Sequence, residues 1–288
     1  GRAPAHVPAG DIAAVVPTHI YGHLMDVASL DSFFEADIPR IEDAAQGYGG
    51  TLHGRAAGTM GNAAIISFGE GKLIDCGSGG AVLTDDGDVA EACMDAARRL
   101  PRDRAEGEAD RGAVMRGMME ARRGWREHRD RATLLREQRD ILMRHRNGYL
   151  WQIAADDIVR IDERLGRMEQ EAARRRSIAN ALDEMLRGLD RVRVIRREGE
   201  VALWRYSFLA DADLRDRVQG DLRKAGIRAT KLFAPCSQKC ALASDEASAA
   251  SVFSAQIVNL EWPDRQDEQD FLSTMERVLR PQTARTTA

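Results

Sequence analysis

Lysine is nearly missing from this chain. Lys72, Lys224, Lys231 and Lys239 stand against 38 arginines in 288 residues. Cysteine is also sparse, with four residues and no recognisable disulfide framework. Cys236 and Cys240 are spaced CxxxC, but no second pair or histidine cluster accompanies them, which argues against a zinc site. Long apolar runs are absent, and none approaches the ~20 residues a membrane helix needs. The first residues lack a charged start followed by an apolar run, so no signal peptide is visible. A reduced, cytoplasmic protein is the expectation. The net charge of −4, with both signs mixed, gives no electrostatic ground for nucleic acid or an anionic membrane as partner.

What is present is a hydrophobic fraction of 43% with 31% charged residues, the balance of a globular protein. The length exceeds one ordinary core, so two lobes are expected. The most informative stretch runs from Pro39 to Thr84. Ala63–Phe68 and Ala81–Thr84 read as buried strands, and a third strand candidate ends at Glu42-Asp43. Between them the chain is rich in glycine, which permits tight turns and close approach of backbone to a ligand. Lys72 sits among Gly69, Gly71, Gly77, Gly79 and Gly80. Arginine cannot give up its proton or form an imine, whereas a lysine of depressed pKa can do both. In a chain that otherwise uses arginine, an amine kept here points to chemistry, set against the alternative of a plain loop lysine.

The neighbours of Lys72 sharpen that reading. Ser67 ends the Ala63–Phe68 run, and Glu42-Asp43-Ala44-Ala45-Gln46 follows a short apolar stretch. A carboxylate at one strand end, a hydroxyl at the next and a lysine just beyond are the groups a pyridoxal phosphate site needs. The motifs His-Ile-Tyr-Gly (19–22), Ile-Glu-Asp-Ala-Ala-Gln (41–46), Ser-Phe-x-x-x-Lys (67–72) and Gly-x-Gly-Gly-Ala-Val-x-Thr (77–84) resemble the DegT/DnrJ/StrS family of sugar aminotransferases. The resemblance implies an α/β, fold-type I architecture with a mainly parallel sheet, and pyridoxal 5'-phosphate as cofactor. It implies that Lys72 forms a Schiff base with the cofactor and then serves as general base. Asp43 would pair with the pyridinium nitrogen, Gln46 with the ring hydroxyl and Ser67 with the phosphate. Asn147 matches part of a family motif whose asparagine reaches the phosphate of the other subunit, but Tyr149 stands where arginine is usual. His19 either lines the pocket or is a packed structural histidine. The family pattern has about a hundred further residues before His19, carrying a phosphate-binding turn and a ring-stacking aromatic. On this reading the chain is a fragment, a processed form or one half of a split enzyme.

Outside that stretch, Ala13–Pro17 is a strand candidate, Leu24–Phe34 a short helix, and Val89–Leu100 a helix with Asp88 as N-cap. Residues 102–146 form a charged helical segment whose arginines and carboxylates pair on solvated faces. Ile153–Leu189 is one long helical pattern that stops near Gly188. The expected organisation is a partial cofactor-binding domain over 1–150, a connecting helix over 151–190, a small α+β domain over 191–281 and a tail over 282–288. Within the small domain, Val192–Ile195, Leu203–Leu209, Ile227–Phe233 and Ile257–Trp262 are strand candidates. Asp213–Ala225 and Gln266–Leu279 are its helices. The implied activity moves an amino group from glutamate or glutamine to a keto sugar, nucleotide-linked, or to a cyclitol. A homodimer or a complementing N-terminal half is the implied partner. The alternative is a non-catalytic homologue that serves as a scaffold.

Overall fold

The computed structural model describes residues 12–35, 37–102, 112–114, 116, 117, 120, 131–144, 150–232 and 249–283. Two compact units divide the chain. One comprises residues 1–90, 159–232 and 255–288, and the other comprises 91–158 and 233–254.

In the first unit, β1 (Ile41–Asp43), β4 (Ala63–Ser67) and β5 (Gly80–Thr84) form a three-stranded sheet in the order β1-β4-β5. β1 and β4 are parallel, with Asp43 opposite Ile65, and β5 closes the edge antiparallel to β4. Val15 and Thr18 bridge in parallel to Arg40 and Asp43, so the expected strand at Ala13–Pro17 is reduced to two isolated bridges. Strand alternation sorts this sheet's residues onto two faces. Glu42, Ala64 and Ile66 are buried on one. Asp43, Ile65, Ser67 and Val82 belong to the other, which is open: Ile65 is 41% exposed and Val82 46%. A short antiparallel pair, β2 (Thr51–Leu52) and β3 (Arg55–Ala56), lies in the loop between β1 and β4. The expected helix at Leu24–Phe34 is a 3-10 segment over Val27–Ser32, with Asp26 accepting from the Ala28 N–H.

The first unit also holds a four-stranded antiparallel sheet, β6 (Val192–Val194), β7 (Tyr206–Ala210), β8 (Ala229–Thr230) and β9 (Ile257–Leu260), ordered β6-β7-β9-β8. Its core joins Phe208, Val258 and Leu260 to Leu182 and Leu186 of one helix, Leu214, Val218 and Leu222 of a second and Met275 and Leu279 of a third. These strands are shorter than the apolar runs that announced them. The Ile227–Phe233 candidate contributes only Ala229 and Thr230, and Phe233 lies outside the described residues.

Helix α1 (Gly87–Arg98) starts two residues earlier than expected. Its cap is Asp86, whose carboxylate accepts from the N–H groups of Asp88 and Val89, so Asp88 is the first-turn acid and not the cap. Within the charged segment, α2 covers Arg131–Arg144. The single long helix expected over Ile153–Leu189 is two helices, α3 (Ala155–Leu165) and α4 (Met168–Arg187). The break falls at Gly166-Arg167, where glycine adds backbone entropy and Arg167 leaves helical geometry at φ −111, ψ 3. Helix α5 spans Ala212–Lys224, and Gly226 follows at φ +88. Helix α6 spans Ala249–Gln256. Helix α7 (Glu268–Thr283) runs through Pro281 in place of stopping before it. A proline near a helix end removes only one backbone donor there. Among the described residues, no helix is long and apolar enough to cross a membrane. The Cys236/Cys240 pair lies outside the described residues. Among the described residues, no group of three or more His, Cys, Asp or Glu is placed to hold a metal ion.

Candidate active site

The acidic pair at the end of β1 splits between two tasks, as alternation dictates. Glu42 is fully buried and accepts from His19 Nε2 at 2.7 Å and from the backbone N–H of Met60 at 2.9 Å and of Gly58. Burial alone would raise its pKa, but these hydrogen bonds outweigh it and hold the carboxyl below its ordinary value. His19 is fully buried, and its Nδ1 accepts from the Met25 N–H at 3.0 Å. That bond fixes the tautomer, with the proton on Nε2 facing Glu42. Of its two candidate roles, His19 therefore takes the structural one.

Asp43 faces the other way. One oxygen accepts from the Ala45 N–H at 3.1 Å, and the carboxylate acts electrostatically on the Lys72 amine. Ser67 ends β4 on the same sheet face as Asp43, and its Oγ accepts from the Gly69 N–H at 3.2 Å. That bond opens the glycine-rich loop. Asp75 continues it, accepting from Gly71 at 2.8 Å and from Gly77 at 2.9 Å. Gly71 and Gly77 have φ of +76 and +77, where a side chain would be strained.

Lys72 emerges half-buried from this loop with Nζ 4.7 Å from the centroid of the Trp204 ring. Its pKa is pushed down from 10.5 to about 8, chiefly by burial; the Asp43 charge opposes the fall and the Arg205 cation adds to it. Gln46 uses its side-chain oxygen to accept from the Tyr21 N–H at 2.7 Å, which leaves its amide nitrogen as the donor end. This bond secures Tyr21 in the left-handed region at φ +58. Asn147 lies outside the described residues.

Three site residues were not singled out from the sequence. Trp204 carries both the Lys72 amine and the Arg205 guanidinium over its ring, the latter at 4.6 Å. Arg205 is anchored to Glu261 at 2.6 Å. Arg175, 6% exposed on α4, donates to the carbonyl oxygens of Lys72 at 3.2 Å and of Leu203 at 3.3 Å while paired with Glu171 at 3.0 Å. Helical spacing marked Arg175 only as one of many helix arginines, and nothing local links Trp204 to Lys72.

A buried carboxylate frame, an exposed-face carboxylate, a hydroxyl and a half-buried amine are thus set on adjacent strand ends and a glycine loop. Residues 8–270 match the DegT/DnrJ/EryC1/StrS aminotransferase family, and the chain belongs to it. A dTDP-3-amino-3,4,6-trideoxy-alpha-D-glucose transaminase from Micromonospora megalomicea subsp. nigra is 41% identical over 81 residues, 27% of this chain and 22% of that protein. An L-glutamine:scyllo-inosose aminotransferase from Streptomyces griseus is 41% identical over 78 residues, 27% of this chain and 18% of that protein. Among solved structures, DesV from S. venezuelae superimposes with a TM-score of 0.65 at 21% identity, covering 92% of this chain and 65% of DesV. The E. coli GDP-4-keto-6-deoxy-D-mannose-3-dehydratase with bound hydrated PLP gives 0.66 at 14% identity, covering 93% and 67%. The fold is thus that of the fold-type I transferases. The matched stretch spans about a fifth of these curated relatives, and the chain spans about two thirds of the solved ones.

Proposed function

We propose that this chain carries the reactive-lysine portion of a pyridoxal-phosphate-dependent aminotransferase. Its reaction transfers an amino group from glutamate or glutamine to a keto sugar, nucleotide-linked, or to a cyclitol. The observation that carries the proposal is the Lys72 amine, held half-buried with a pKa of about 8 in the electrostatic reach of Asp43. The residues present fit the cofactor. Lys72 would hold its aldehyde carbon, Asp43 its ring nitrogen, Gln46 its ring oxygen through the amide nitrogen, and Ser67 its phosphate.

The cofactor, when bound, supplies an electrophilic aldehyde and a ring that withdraws electrons. The chain supplies the rest. Near neutral pH a part of the Lys72 amine is uncharged, so Nζ can accept a proton and return it to a neighbouring carbon. Arg175 fixes the lysine backbone through its carbonyl, so the amine swings only about its own side chain. Asp43 lies on the sheet face away from Glu42 and its buried donors, where it can act on the amine. Retention of lysine at 72 favours transamination over dehydration.

The test is a titration with pyridoxal phosphate followed by borohydride reduction and peptide mapping. Label fixed on Lys72 and lost in Lys72→Ala is expected. Label scattered over Lys224, Lys231 and Lys239 would overturn the assignment.

One observation favours a second reading, in which the site is completed only by a complementing polypeptide or a second copy of the chain. The sheet face that bears Asp43 and Ser67 also presents Ile41, Ile65 and Val82, each 37% exposed or more. Parallel pairing such as that of β1 with β4 is characteristic of sheets covered on both faces. Sedimentation of the chain, alone and with the cofactor, distinguishes the readings. A monomer that binds the cofactor at Lys72 would exclude the second.

A further inference from the structure

The tryptophan under the reactive amine has a defined support. The Trp204 main chain is hydrogen-bonded on each side: its N–H donates to the Tyr21 carbonyl at 2.9 Å, and its carbonyl accepts from Trp262 Nε1 at 3.0 Å. Tyr21 is in turn held by Gln46. Its neighbour Gly22 packs so closely that a Cβ there would lie 2.6 Å from the Trp204 nitrogen. The main chain at Trp204 is thereby held by contacts that do not involve Lys72. The Lys72 backbone is fixed by the Arg175 hydrogen bond to its carbonyl, and the same guanidinium holds the Leu203 carbonyl beside Trp204. From these two segments the side chains meet with Nζ 4.7 Å from the ring centroid, inside the range in which the negative face of an indole attracts a cation.

We propose that Trp204 is a positioning residue that seats the Lys72 amine as an ammonium ion on its ring and so sets the pH at which that amine becomes nucleophilic. The proposal rests on Lys72 being the reactive amine. The charged groups that act on Nζ are Asp43 from β1, which favours the cation, and Arg205, which disfavours it. Trp204 contributes in two opposed ways. Its bulk helps bury the amine and so weakens the charged form, while the ring face stabilises it. The two are separable, because ring charge distribution can be changed with shape unchanged.

The experiment is competitive acetylation of the intact chain across a pH range of about 6 to 11, which brackets the ordinary lysine value. It is read by peptide mass at Lys72, with Lys224, whose side chain is 80% exposed, as the internal standard. It is done for protein grown on tryptophan and on a ring-fluorinated tryptophan, which weakens the negative face. The Lys72 midpoint is expected to fall by roughly 0.5 to 1.5 pH units in the fluorinated chain. In a Trp204→Phe background, the same fluorinated tryptophan should leave the midpoint where it was. A midpoint unmoved by fluorination, or moved equally in the Trp204→Phe background, overturns the proposal. Because acetylation needs no cofactor, its outcome is distinct from that of the pyridoxal phosphate labelling. Label that fails to fix on Lys72 while the midpoint shifts as expected would remove the functional reading and leave the seating of the amine in place.

Discussion

Arg175 Nη2 donates to the backbone carbonyl of Lys72 at 3.2 Å, and through this bond helix α4 holds the loop that carries the Lys72 amine. The same guanidinium reaches Leu203, next to the tryptophan under that amine. A buried arginine so placed sets the distance between loop and ring.

Replacing it should therefore separate stability from positioning. Arg175→Met is expected to cost about 2 kcal/mol, since Glu171 retains Arg174 as a partner while two buried carbonyls lose a charged donor. A denaturant titration reads the stability. Cofactor labelling of Lys72, compared at equal folded fraction, should be slower; unchanged labelling would show that the loop holds itself.

Asp43→Asn removes the charge that supports the ammonium form of Lys72. The midpoint for labelling of Lys72 should drop below its value of about 8, and Asp43→Glu should keep it closer to that value. The effect on stability has the corresponding sign. The folded value lies below the ordinary 10.5, so between about 8 and 10.5 the unfolded chain binds the proton more tightly. The contribution of Lys72 to stability therefore rises with pH across that window, and Lys72→Met should abolish the rise in thermal unfolding measured from about pH 7 to 10.5.

Glu42 gives an acid limb. Its folded-state pKa lies below the ordinary 4.5, so its contribution is full above that value and is lost as pH falls through the lower folded one. Glu42→Gln should flatten this part of the acid-unfolding curve. Glu42→Ala, which leaves His19 and two backbone donors without their acceptor, should cost roughly 3 kcal/mol or more.

Gly22→Ala tests the seat of the ring. An added Cβ would meet the Trp204 nitrogen at 2.6 Å and the Leu203 Cα at 2.7 Å, and the residue has φ +92. A loss of about 1–3 kcal/mol is expected, with altered tryptophan fluorescence at temperatures where the chain remains folded.

The placement of the candidate residues was legible where they lie close together in the sequence. Asp43, Ser67 and Lys72 lie in one short stretch, and strand alternation with glycine-rich turns suffices to place them near each other. Glu42 and His19 were harder, since a buried hydrogen-bonded pair leaves no periodic trace; only their motif drew notice. Arg175 and Trp204 could not be read, because their contact with Lys72 depends on how α4 and the small sheet close over the loop. The fold followed the same division. The longer helices and the strands of the small sheet were readable from apolar spacing, whereas the expected strand at Ala13–Pro17 is only two bridges, the boundary at Gly166-Arg167 is set by local backbone geometry and the cap at Asp86 by one side-chain carboxylate. The helix through Pro281 shows that a breaker near a terminus is tolerated.

The two adjacent carboxylates of β1 have a consequence for how the chain can fail. A slip of this strand by one residue that sends Asp43 inward among the donors meant for Glu42 would leave Ala44 in the position from which Asp43 acts on Lys72. Aspartate is one methylene shorter and could not span the same three donors, so the misaligned strand would lose its internal lock together with its chemistry. Correct pairing and an armed amine thus arise in a single event, and a stably folded but misregistered form of this sheet has no support in the sequence.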